Sequence, residues 1–116
     1  MARKDIVGRT REQIAADHLE AAGYRIIDRN WRCRTGELDI VAERDGTVVF
    51  VEVKTRSGTG YGHPLESITV QKLARLRRLA AAWCADNGPV ASIRLDAIAV
   101  VTAPGQTLVE HVEQVA

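Results

Sequence analysis

Apolar and polar positions along the chain change period several times, and each change marks an element. Ile14, Ala15, His18, Leu19 and Ala22 recur at helical spacing. Thr10-Arg11-Glu12-Gln13 has the capping-box pattern ahead of them, and Gly23 is well placed to end the helix. Residues 24–34 alternate as a first strand, with Ile27, Arg29 and Trp31 on one parity and Ile26, Asp28, Asn30 and Arg32 on the other. Residues 36–42 and 48–54 are rich in Val, Ile and Phe and read as two more strands. Residues 56–64 carry three glycines and a proline, which predicts a loop. Thr69 caps a second helix running to about Asp86, with a stripe of Val70, Leu73, Leu76, Leu79, Ala80 and Trp83, and Asn87-Gly88-Pro89 stops it. Residues 90–101 form an apolar, buried strand. Residues 103–106 are a turn, and 107–112 return as an edge strand. The predicted order is helix, three strands, helix, strand, strand.

The middle hairpin carries the most information. Asp45-Gly46 between two β-rich runs predicts a type I′ turn, which needs positive φ at both central residues. Arg44 then faces Thr47, Asp39 lies opposite Glu52, and Glu37 lies opposite Lys54. Alternation puts Glu37, Asp39, Glu52 and Lys54 on one face and the apolar Leu38, Ile40, Val51 and Val53 on the other. Like charges directly opposed on a sheet are destabilising. A divalent cation offsets that repulsion, since Mg²⁺ takes hard oxygen ligands from one or two carboxylates. The alternative is a solvated polar face on which Glu37 simply pairs with Lys54.

Composition narrows the class. The 116 residues suit one domain, read as a disordered basic stretch over 1–8 and a single folded unit over 9–116. No run of about 18 apolar residues would span a membrane, and no apolar signal core succeeds the start, so a cytoplasmic location is expected. Cys33 and Cys84 are read as free thiols. The net charge of +1 says little, but all 16 Lys and Arg fall within residues 1–94, against 12 Asp and Glu. A basic surface around an acidic centre suits a phosphate backbone.

Asp39 followed by Glu52-Val53-Lys54 resembles the PD-(D/E)xK nuclease motif of restriction enzymes and Holliday-junction resolvases, with Leu38 where the motif's name has proline. From Gly8 to about Val112 the chain resembles the small bacterial YraN family, on Gly36-Glu37-Leu38-Asp39-Ile40 and Phe50-Val51-Glu52-Val53-Lys54-Thr55-Arg56. The resemblance implies an α/β, restriction-endonuclease-like αβββαβ core, a mixed central sheet flanked by two helices. It implies a metal-dependent nuclease acting on DNA, branched or single-stranded. Asp39 and Glu52, with the Val53 carbonyl, would hold Mg²⁺ or Mn²⁺, and Lys54 would assist the attacking water and pair with the phosphate. An early helical glutamate occurs in resolvase-like members, which points to Glu12, at the edge of the first helix's apolar stripe. Gln71 matches the helical polar residue that comes after the ExK strand in many members. Arg32 and Arg34 on the first strand, Arg56 after the motif, and Lys72, Arg75 and Arg78 on the second helix are candidates for the phosphate backbone, and Glu37 and His63 are secondary candidates. A homodimer would suit a junction substrate. The alternative function is a non-catalytic nucleic-acid-binding module in recombination or repair.

Overall fold

A computed structural model describes residues 3–57 and 64–116. Its elements are α1 (Arg3–Ala21), β1 (Arg25–Cys33), β2 (Gly36–Arg44), β3 (Thr47–Ser57), a 3₁₀ turn (Pro64–Ser67), α2 (Val70–Asn87), β4 (Ile93–Ala103) and β5 (Gln106–Val112). The five strands form one mixed sheet in sequence order. β1, β2 and β3 are an antiparallel meander, β4 joins β3 in parallel after the α2 crossover, and β5 closes the far edge antiparallel to β4.

One helix covers each face. Ala15, Ala16 and Leu19 of α1 pack with Ile40, Ala42, Val49, Val51, Ile98 and Val100. Leu76, Leu79, Ala80 and Trp83 of α2 pack with Leu38, Val41, Val48, Phe50 and Leu95. β2, β3 and β4 lie between two apolar layers, which is why they read as nearly continuous apolar runs. Trp83 stacks edge-on against Phe50 at 5.6 Å and its Nε1–H donates to Asp28 Oδ2 at 2.9 Å. Trp83→Phe keeps the ring contact but strips a half-buried carboxylate oxygen of its donor. A loss of about 1–2 kcal/mol in urea unfolding is expected.

Several local expectations hold. Asp45 and Gly46 have φ of 52° and 82°, the two positive values a type I′ turn requires. Thr69 Oγ1 accepts from the Lys72 amide at 3.2 Å, and Gly88, at φ 100°, ends α2. At the end of α1 the Tyr24 amide reaches Leu19 O and the Gly23 amide reaches Glu20 O, a Schellman closure around a glycine at φ 90°. Cys33 and Cys84 are free.

Others need correction. α1 begins at Arg3, seven residues ahead of Thr10, so the basic stretch expected to be disordered is helical from Arg3. Propagating an existing helix adds one hydrogen bond per residue ordered, and arginine and lysine favour it. Ala16 takes the buried place expected of Ala22, and Val70 is 81% exposed because it opens α2 beyond the sheet.

Strand alternation also fails, at two places. β1 shifts register between Ile26 and Asp28. Further on, Trp31 and Leu38 pair with each other and pack toward α2, although Ile40 packs toward α1. Leu38 therefore does not share a face with Ile40, Val51 and Val53. The reset falls on the rung that β1–β2 pairing skips, Asn30 and Asp39, where Asn30 adopts φ 52°. Asparagine tolerates this left-handed conformation better than most residues, and its rotation swaps the faces of the strand residues beyond it.

Candidate functional site

The skipped rung is where β2 and β3 part. Their ladder keeps the predicted register from Arg44↔Thr47 to Ile40↔Val51. Beyond that, β2 stays with β1 to Gly36 and β3 stays with β4 to Ser57, so the two strands open as a fork. Asp39 sits in its throat. The Val53 amide donates to Asp39 Oδ2 at 2.8 Å instead of to a strand partner. The side chain thus replaces a ladder bond and is locked in place by the backbone.

Carboxylates gather around it from three elements. Burial, opposed by the Val53 hydrogen bond and reinforced by the charges of Glu52, Glu12 and Glu37, pushes the Asp39 pKa up to about 7. Glu12 arrives from α1, half-buried as its place on the helix wheel predicted. Asn30, with its amide nitrogen turned to the acids, donates to Glu12 Oε2 and Glu37 Oε1, each at 3.1 Å. Glu37 is held on its other side by Arg32 Nε at 2.9 Å.

Glu52 and Lys54 lie on the α2 side, with Lys54 Nζ 3.4 Å from Glu52 Oε1. They line a narrow crevice with Lys72, Arg75, Leu73 and Leu76 of α2. The expected pairing of Glu37 with Lys54 therefore does not form. The fork separates them, and each takes a nearer partner. Among the described residues, no group of three or more His, Cys, Asp or Glu stands close enough together to hold a metal ion. The donors at the fork are Asp39 and Glu52, both hard oxygen ligands, and Mg²⁺ commonly uses only one or two protein carboxylates and keeps several waters. Val53 takes part through its amide, which orients Asp39.

The remaining candidates spread around this centre. Lys72 and Arg75 reach the crevice, whereas Gln71 and Arg78 are exposed on α2 and do not line it. Arg32 is on β1, but Arg34, expected on the same strand, falls in the β1–β2 turn, and both line a shallow open cleft with Cys33, Thr35 and Glu37. Arg56 is half-buried on β3. His63 lies outside the described residues. Two members of the site went unnoticed in the sequence: Asn30 as the clasp between Glu12 and Glu37, and Arg32 as the partner of Glu37. An asparagine interrupting a strand is the one available hint, because that residue type marks positive φ.

Buried Asp96 stands apart from this centre. Arg94 grips it with both ends of its fork, Nε to Oδ1 at 2.9 Å and Nη2 to Oδ2 at 2.8 Å. His111 Nε2 lies 2.7 Å from Oδ2, and the Gln114 amide donates to Oδ1 at 3.0 Å. A neighbouring arginine and a backbone amide thus both satisfy the buried carboxylate.

A family model described as uncharacterised protein family UPF0102 matches residues 11–100. A UPF0102 protein of Leifsonia xyli subsp. xyli is 58% identical over 104 residues, covering 89% of this chain and 88% of its own. One from Arthrobacter sp. (strain FB24) is 50% identical over 117 residues, covering 99% of each chain. Another, from Frankia casuarinae, is 48% identical over 114 residues and 97% of each chain.

Proposed function

The chain belongs to the UPF0102 family, the YraN-like group that its motifs resemble, and we propose that it is a divalent-metal-dependent nuclease that hydrolyses phosphodiester bonds in DNA. The observation that carries this reading is Asp39. A carboxylate locked by a backbone amide at a strand fork, with three further acids helping to raise its pKa to about 7, is a site short of positive charge. Such a deficit is costly for a structural surface and suited to a ligand that brings cations. The restriction-endonuclease-like core implied by the motif is consistent with a mixed five-stranded sheet and a helix on each face.

Asp39 and Glu52 would hold Mg²⁺ or Mn²⁺. When bound, the ion supplies Lewis acidity, which neutralises charge on the scissile phosphate and lowers the pKa of water. Hydrolysis adds water across one P–O ester bond and leaves a phosphate monoester and a free hydroxyl. The chain's own groups do the positioning. The Lys54 ammonium, on the same crevice wall as Glu52, can pair with a phosphate oxygen and hydrogen-bond the incoming water. Lys72 and Arg75 hold neighbouring phosphates from the α2 side. The Glu12–Asn30–Glu37 clasp fixes the approach of α1 to the fork.

The test is cleavage of single-stranded, duplex, flap and four-way-junction DNA with Mg²⁺ or Mn²⁺, beside Glu52→Ala and Lys54→Ala proteins purified identically. Cleavage by the wild type that chelator and both substitutions abolish is the expected result. Equal cleavage by all three proteins overturns the assignment. Structure-selective binding without cleavage transfers it to the binding-module reading.

A further inference from the structure

A second cleft, of about 520 Å³, opens at the other end of β3 and β4. It is lined by Thr47, Arg77, Ser92, Ile93, Arg94 and Leu95, with Gln114 and Ala116 from the segment after β5. Thr47 and Glu52 are five residues apart on β3, so the cleft stands about 17 Å from the carboxylate fork. It shares no lining residue with the crevice beside Glu52 and Lys54.

Its lining has a definite chemistry. The side chains include two guanidinium groups, two hydroxyls and an amide, beside the terminal residue Ala116 with its main-chain carboxylate. Arg94 is committed to Asp96 and to the Tyr24 hydroxyl, which fixes it as a rigid part of the wall. Arg77 is different. It is exposed on α2, and among the described residues no hydrogen bond or ion pair engages its side chain. Thr47 Oγ1 and Ser92 Oγ lie 3.2 Å apart and form a small polar ledge. In the same lining Ile93 is 50% exposed, one of three large apolar side chains left so open among the described residues. Ligand sites commonly fall between about 300 and 1,000 Å³ and combine apolar walls with a few convergent polar groups.

We infer that this cleft is a binding site for a nucleoside phosphate unit, with Arg77 on the phosphate and Ile93 and Leu95 against the sugar or base. A guanidinium fork matches phosphate geometry, and its plane also stacks on a base. The Thr47–Ser92 ledge supplies donors for the remaining phosphate oxygens or for ribose. The same unit exists as a free mononucleotide and as one residue of a nucleic-acid strand. Binding in this cleft does not depend on catalysis at the fork.

The experiment monitors backbone amide resonances of wild-type protein in the presence of chelator. It titrates adenosine 5′-monophosphate, inorganic phosphate and a short single-stranded oligonucleotide in turn. The amides of Thr47, Ser92 and Ile93 are expected to shift with the nucleotide. Arg77→Ala, an exposed change that leaves the core untouched, is expected to weaken binding about tenfold or more, the worth of one charge-assisted hydrogen bond. Ile93→Thr should weaken the nucleotide about threefold and leave inorganic phosphate unchanged. Shifts with the mononucleotide identify a free ligand; shifts with the oligonucleotide alone identify a unit of a strand. If neither moves these amides, or if Arg77→Ala binds as tightly as the wild type, the inference is overturned.

Discussion

Replacing Asp96 with alanine is expected to cost about 3–5 kcal/mol of stability, because it removes one partner from a buried charge pair and strands the other. Asp96 is wholly buried, and Arg94 retains only 19% of its side-chain exposure. Burial alone would raise the Asp96 pKa. Hydrogen bonds from His111, Arg94 and the Gln114 amide outweigh it and hold the group at about 2. The Arg94 pKa moves upward in response. The network ties β4 to β5 through His111, to the succeeding segment through Gln114, and to the α1–β1 connection through the Tyr24 hydroxyl. Its loss therefore loosens three connections at once. For a chain of this size the midpoint of thermal unfolding should fall by about 10–20 °C. Urea unfolding of the wild type and of Asp96→Ala measures the difference. Pairing Asp96→Leu with Arg94→Leu should recover part of the loss, since the stranded guanidinium is then gone. A folded-state pKa below the unfolded one also fixes the acid response. The stabilisation is complete above about pH 4 and is lost as pH falls toward 2.

Asp39→Asn should act in the opposite direction. The Asp39 pKa is raised to about 7, above its unfolded value near 4, so the native state holds the proton more tightly. Its contribution is most favourable below pH 4, falls as pH rises, and is fully lost above 7. Three pH units of such linkage amount to at most about 4 kcal/mol, less where solvent reaches the carboxylate. Asparagine keeps an oxygen to accept the Val53 amide and cannot ionise. The variant should therefore unfold at higher temperature than the wild type at pH 8 and lose the slope between pH 4 and 7. In the proposed function Mg²⁺ should stabilise the wild type at pH 8 and leave the variant unchanged, while any DNA cleavage disappears in Asp39→Asn. Thermal melts across pH, with and without Mg²⁺, read both effects. Parallel pH profiles for the two proteins would refute the charge argument. Under the proposed function this is an exchange in which stability is given up to hold like charges together.

Both residues show how much a single chain discloses. Asp39 was legible as a candidate because the Asp45-Gly46 turn sets a hairpin register that brings a second acid, Glu52, across from it. Asp96 was legible only as a problem, an acid inside an apolar strand. His111 and Gln114, two of the groups that solve it, come from residues far along the chain that meet it only after β5 folds back. Glu12 shows the intermediate case: the helix wheel placed it at the edge of the buried stripe, but its link through Asn30 to Glu37 crosses from α1 to two strands.

The sequence by itself determined the features that rest on nearest neighbours along the chain. The I′ turn comes from two residues that accept positive φ, the start and end of α2 from Thr69 and Gly88, the closure of α1 from Gly23, and the hairpin register from the turn. Hydrophobic period then separated the strands and helices, because burial on one face or both is written into the order of apolar residues. The tertiary structure alone decided the reversal of faces at Asn30 and Asp39, the fork between β2 and β3, and the choice of Arg32 rather than Lys54 for Glu37. Those features depend on which strand holds each edge. β1 retains β2 while β4 retains β3, and the backbone amide left over at Val53 is satisfied by a side chain that alternation alone would have placed elsewhere. Competition among partners distant in sequence has no local signature, so it becomes visible only when the sheet is assembled.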